Sequence, residues 1–166
     1  ISPTNLGSGG RAGQITAGGG AILLRVAGAL RVDGNMMAEG QYIADYNRPG
    51  SGGSINIIAG ALKGLGLISA RGASLYAGSG GGRISLAVPN AGANFSAFGG
   101  QITACGGLGY YLGAGGSGTI YLKCASDHPG RGTVFLNNNN YTGIRFSYAP
   151  PAPPGNVIGE VNRAPF

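Results

Sequence analysis

Acid–base and metal-assisted catalysis need carboxylates that converge, and the 166 residues hold only five: Asp33, Glu39, Asp45, Asp127 and Glu160. Cleavage of a polysaccharide would draw on such acids in pairs, held at a fixed separation about one sugar bond. No acid recurs at a regular interval here, so an enzyme is not expected, and no cofactor or metal is expected either. The single histidine lies in Ser126-Asp127-His128-Pro129. Members of a catalytic triad converge from separate parts of a chain, so three consecutive residues read as a surface turn. Glycine clusters such as the one before Arg83 lack the Gly-Lys-Ser/Thr sequence and following helix that cradle phosphates.

The remaining reactive types are thiols, phenols and sequon amides. Cys105 and Cys124, 19 residues apart, are the only cysteines. They make no zinc site and are expected to form a disulfide, the alternative being two buried free thiols. Eight tyrosines are present, and Tyr42, Tyr46, Tyr76, Tyr110 and Tyr111 fall in or near expected loops. Exposed tyrosines stack on sugars or seal subunit contacts; the plainer reading is that they cover backbone bared by glycine. Asn94 and Asn140 head N-x-Ser/Thr sequons and are candidate glycosylation sites.

The elements that position these residues follow from an unusual composition. Gly contributes 36 residues and Pro 9, while charged residues are only 10%. Glycine at this density opposes helices, at about 1 kcal/mol for each one placed in a helix interior. The net charge is +6, but the basic residues are scattered singly, without the basic stripe and interleaved aromatics of a nucleic-acid binder. No nucleic-acid partner is expected. A membrane helix needs about 18 apolar residues; the longest candidate, Ile22 to Leu30, is broken by Arg25 and Gly28, so no membrane span is expected. The chain starts in mid-repeat without a charged leader, as if processed or part of something longer.

Order within the chain separates it from a disordered glycine-rich tail. Residues 29–40 align without a gap to residues 61–72, an offset of 32. The end of that block recurs as an apolar–small–Ala–x–Gly signature in Ile15–Gly19, Met36–Gly40, Ile68–Gly72 and Ile102–Gly106. A second signature is a glycine cluster opening an apolar strand, before Ala21, Ser54, Arg83 and Thr119. Ile84, Leu86 and Val88 alternate, as do Ile55 and Ile57, and Ile120 and Leu122. A unit of two or three short strands cannot bury its own apolar face but can do so stacked on copies of itself. The expected fold is therefore all-β, a short parallel β-solenoid of about four to five coils without substantial helix.

The runs Gly50–Ile55, Gly66–Gly72, Gly80–Leu86, Ile102–Gly107 and Gly116–Lys123 resemble the glycine-rich repeats of large secreted bacterial surface proteins with a pectin-lyase-like parallel β-helix. The resemblance covers roughly residues 12–140. It implies an extracellular or cell-surface setting and a structural or adhesive role.

The expected organisation is a solenoid over 1–148 and a Pro-rich extended tail over 149–166. Residues 1–20 would be a partial first coil and 125–148 a degenerate last one. A solenoid leaves an open strand edge at each end. The chain is accordingly expected to be a structural subunit that stacks end to end into a homopolymer, a fibre or surface layer. The alternative is a carbohydrate-binding or adhesin module using the Tyr-bearing loops, with surface polysaccharide as partner.

Overall fold

A computed structural model describes residues 2–12, 14–43, 48–129 and 131–139. Asp45, Tyr46, Asn140, Glu160 and the tail at 149–166 lie outside the described residues. Ten strands are present: β1 (Gly10–Ala12), β2 (Gln14–Thr16), β3 (Ala21–Arg31), β4 (Asn35–Met37) and β5 (Ser54–Lys63), then β6 (Leu67–Ser69), β7 (Arg83–Val88), β8 (Gln101–Thr103), β9 (Thr119–Cys124) and β10 (Thr133–Phe135). No helix occurs among the described residues.

The strands form a parallel β-solenoid of about three turns. A five-stranded sheet has the order β10-β9-β7-β5-β3, and a three-stranded sheet has the order β4-β6-β8. Each coil lays one long strand on the first sheet, turns, lays one three-residue strand on the second, and returns through a corner loop. The gapless offset of 32 is the physical register: Ala29 pairs with Ala61 and Arg31 with Lys63, and Asn35 pairs with Leu67.

Side chains alternate across each strand, so the register stacks like on like inside the coil. Ile22, Ile55, Ile84 and Ile120 form one inward column, and Leu24, Ile57, Leu86 and Leu122 the next. Met36, Ile68 and Ile102 face them from the other sheet. Ile55, Ile57, Ile68, Ile84 and Leu86 are essentially inaccessible to solvent. Burying each contributes about 1.5–3 kcal/mol relative to exposure.

The two sequence signatures meet at one corner. Carbonyls of the signature alanines Ala38, Ala70 and Ala104 accept hydrogen bonds from the N–H of Gly53, Gly82 and Gly118, at 2.8, 2.7 and 2.8 Å. These glycines open the next long strand, so each bond joins one coil to its successor. A Cβ on Gly53, Gly82 or Gly118 would run into a backbone carbonyl of the preceding coil. Only glycine fits that crossing, and only a residue as small as alanine fits the buried corner beside it.

The ends differ from expectation. Gly10–Ala12 and Gln14–Thr16 form the antiparallel pair β1–β2 rather than parallel strands of a first coil. Ala17, the first signature alanine, is exposed whereas the other three are buried. At the far end Thr133–Phe135 is a strand as expected, but it pairs antiparallel with β9. The chain reverses after Cys124 through a turn in which the Asp127 carboxylate accepts the Cys124 N–H at 2.8 Å. The segment Thr133–Phe135 therefore folds back along β9 as an antiparallel edge strand of the same sheet and does not continue the parallel coil.

The expected disulfide is not formed: Cys105 and Cys124 are both free, buried thiols. Cys105 follows β8 on the three-stranded sheet, while Cys124 ends β9 on the five-stranded sheet. The loop 104–118 carries the chain only to the start of β9, and the strand itself then takes Cys124 about 17 Å further away. The Cys105 sulfur instead receives contacts from Thr103 Oγ1 at 3.5 Å and Asn139 Nδ2 at 3.4 Å.

Candidate functional site

Three corner loops leave β4, β6 and β8 on the same side of the solenoid, because those strands are stacked in register. Tyr42 lies in the first loop, Tyr76 in the second, and Tyr110 and Tyr111 in the third. Residues far apart in sequence thus share one corner. Tyr46 belongs to the first loop by position but lies outside the described residues.

Backbone pairing continues from the strands into the second and third loops. Leu75 and Gly109 form a parallel bridge. Tyr110 N donates to Leu75 O at 2.9 Å, and Tyr111 N and Leu112 N donate to Tyr76 O at 3.0 and 2.9 Å. These bonds place the rings of Tyr76 and Tyr111 face to face, with centroids 5.1 Å apart and planes inclined by 21°. Tyr110 and Tyr111 remain 73% and 75% exposed. The result is an aromatic ledge set on hydrogen-bonded backbone.

A cavity of about 220 Å³ lies where the same three loops leave their strands, lined by Glu39, Tyr42, Arg71, Ser74 and Cys105. Glu39 ends the signature of the first coil and Arg71 that of the second. Arg71 Nε donates to Glu39 Oε1 at 2.8 Å, and the Ser69 hydroxyl donates to the same oxygen. Ser74 Oγ accepts the Leu108 N–H at 2.8 Å, fixing the rim between the second and third loops. The corner combines exposed phenol rings with a carboxylate–guanidinium pair and a hydroxyl. Such a set can stack on an apolar face and exchange hydrogen bonds with hydroxyl groups.

The other acids stand apart. Asp33 pairs with Arg31 Nε and accepts the Leu65 N–H at 3.1 Å. The Arg31 hydrogen bond first, then the Leu65 amide, holds the Asp33 carboxyl below its ordinary value of 3.8. Asp127 and His128 lie in the turn after β9, where His128 is exposed and its carbonyl accepts the Arg131 N–H at 2.9 Å. Among the described residues, no three His, Cys, Asp or Glu side chains gather closely enough to hold a metal ion. No helix among the described residues is long and apolar enough to cross a membrane.

Asn94 is exposed in the loop between β7 and β8, its Oδ1 accepting from Ser96 N at 2.9 Å and Ser96 Oγ at 2.6 Å. That turn leaves the Asn94 amide at the surface. The asparagine run does more than turn. Asn138 accepts the Gly106 N–H at 2.7 Å and donates to Gly115 O at 2.8 Å, bridging the two sides of the last corner loop. Asn139 adopts the left-handed conformation expected of a turn asparagine, with φ of 51°. Sequence reading named the tyrosines singly and Glu39 only as an isolated acid, and did not join them with Arg71 and Ser74 into one site. The signal was present, since the offset of 32 sets Glu39 opposite Arg71.

Comparison with protein-family models, with curated proteins and with solved structures finds no match to this chain.

Proposed function

We propose that this chain is a structural subunit of an extracellular fibre or cell-surface assembly, joined to its neighbours through the ends of the solenoid. The observation that carries this reading is the state of β3. It is the outermost strand of the five-stranded sheet and is 11 residues long. No strand among the described residues pairs with its outer edge. Its inward residues Ile22, Leu24, Val26 and Leu30 are only half-buried, whereas Ile55 and Ile57, their neighbours one coil on, are closed off. An exposed strand edge is a template for another strand, and here it is backed by an uncovered apolar row.

The two ends are unequal, which favours head-to-tail contact. At one end the apolar row of β3 leaves the core incompletely covered. At the other end β10 runs antiparallel to β9, so a neighbour's β3 arriving in the same solenoid sense would pair antiparallel with β10. Phe135, opposite Ile120 in register and 40% exposed, offers that strand an apolar contact. The likeness to secreted glycine-rich surface repeats supports the extracellular setting.

Sedimentation velocity and negative-stain microscopy over a concentration series test the reading. Linear oligomers that lengthen with concentration, with an axial repeat equal to the height of one solenoid, are expected. A single monomeric species across the whole series overturns it.

A further inference from the structure

We propose that the tyrosine corner is a binding site for a neutral oligosaccharide, held by ring stacking on Tyr76, Tyr110 and Tyr111 and by hydroxyl contacts in the cavity beside Tyr42. This goes beyond the assembly reading and uses a different surface. A pyranose ring presents C–H groups on its faces and hydroxyls around its rim. The corner supplies the complement of both. Tyr111 stacks on Tyr76 through one face, and at 75% exposure its opposite face is open. Tyr42, 61% exposed, lines the cavity. The Glu39–Arg71 pair and Ser74 line it too, and Ser74 stands two residues before Tyr76 in the second loop. Sugar hydroxyls both donate and accept, so a carboxylate beside a guanidinium can satisfy each role at once.

Charge decides which sugars fit. The second and third loops, which carry the ledge, hold no charged residue from Gly72 to Gly82 or from Gly106 to Gly118, whereas the first loop carries the exposed Arg48. Glu39 and Arg71 neutralise each other at 2.8 Å. A uronate or sulfated sugar would lose hydration on the ledge without meeting a cation from either loop that builds it. The cavity of about 220 Å³ suits one sugar ring rather than a folded segment of protein. The bonds from Tyr110 and Tyr111 to the second loop hold the ledge in place before any ligand arrives, so little ordering opposes binding.

The test is retention on a glycan array, followed by titration of the purified full chain. Probes are neutral hexasaccharides of glucose, mannose, galactose and N-acetylglucosamine, set against polygalacturonate and sulfated glycosaminoglycan. The chain has no Trp, so tyrosine emission reports binding directly. At least one neutral class is expected to bind. Tyr111→Ala and Tyr42→Ala should each weaken it about tenfold, and Tyr111→Phe should hold within about twofold because the stacking face is kept. Both side chains are exposed, and circular dichroism of all three variants should match the parent. Binding should persist in a variant whose β3 edge no longer associates, which separates this site from end-to-end assembly. The proposal is overturned if no neutral probe binds, if acidic glycans bind instead, or if Tyr111→Ala leaves affinity unchanged. A Tyr111→Ala change in oligomeric state with no change in glycan retention also overturns it, in favour of a protein contact.

Discussion

Arg71 donates to Glu39 across 2.8 Å, and the two residues stand 32 apart in the chain. The same interval carries the hydrogen bond from Leu65 N to Asp33. The sequence repeat is therefore a contact between adjacent coils. Glu39 also accepts from Ser69, and its side chain is only 21% exposed. Glu39→Ala should lower unfolding free energy by about 1 kcal/mol, below the usual value for a charged hydrogen bond because Arg71 remains largely solvated. A double-mutant cycle with Arg71→Ala, read by urea denaturation, should give a coupling of about 0.5 kcal/mol. Zero coupling would show that the pair is incidental to the stacking.

Asp33 gives the acid limb of the stability profile a direction. Its folded-state pKa lies below the ordinary 3.8, because of the Arg31 hydrogen bond and then the Leu65 amide. A depressed carboxyl contributes stability above its unfolded pKa and loses it as pH falls through the folded value. The gap in urea midpoint between the parent and Asp33→Asn should thus be constant near neutrality and close as pH drops below about 4. A gap that widens on acidification would contradict the assignment.

Glycine at the coil crossings should be unequal in its tolerance. Gly53→Ala places a Cβ against the Gly19 and Gly20 carbonyls, both backbone and unable to step aside. A Cβ on Gly20 meets nothing within 4 Å. Gly53→Ala should cost about 1–3 kcal/mol or more, and Gly20→Ala should stay within about 0.5 kcal/mol. Thermal melting followed by circular dichroism distinguishes them, and equal melting temperatures would defeat the argument.

The repeat was readable because stacking imposes the same residue on successive coils. The gapless match of residues 29–40 to 61–72 became a register, and the alanine and glycine signatures became the two halves of one corner. Direction was not readable where a strand is three residues long. Thr133–Phe135 reads identically whether parallel or antiparallel, and the reversal rests on the Asp127 turn. The cysteine spacing failed for another reason: Cys124 is legible at the end of its strand, but 19 residues do not say that the loop brings the start of β9, not its end, beside Ala104. The tyrosines were visible one by one, but their convergence depends on loops of unequal length that share only their starting column.

Both cysteines should be recovered as free thiols by a thiol-specific reagent. Cys124 is buried, and burial first, with the Asp127 charge second, pushes its thiol above the ordinary 9.0. The thiolate is the reactive form, so Cys124 should react slowly with a disulfide reagent in the native protein near pH 8. Two equivalents should react after denaturation without reductant. A raised thiol pKa also means stability that is complete below 9.0 and lost as pH rises through the folded value. Recovery of fewer than two equivalents from unreduced, denatured protein would restore the disulfide.

The edge of β3 should be the element that controls assembly. Leu24 sits in its inward row, packed against the core but incompletely covered, and pairs with Ile57 in register. An inward-pointing charge on an edge strand is a device by which sheets resist pairing with their neighbours. Leu24→Lys keeps the long stem along the apolar row and lets the ammonium reach water at the open end. The monomer should remain folded with a loss of about 1–2 kcal/mol, less than a closed-core change because the site is half-buried. Association should disappear. Leu23→Lys, on the outward face where Leu23 is 55% exposed, is the control and should assemble like the parent. If Leu24→Lys forms oligomers as readily as Leu23→Lys, the β3 edge is not the joint. If Leu24→Lys fails to fold, the milder Leu24→Thr shortens the side chain and adds a hydroxyl without a charge, and it should raise the concentration needed for assembly rather than abolish it.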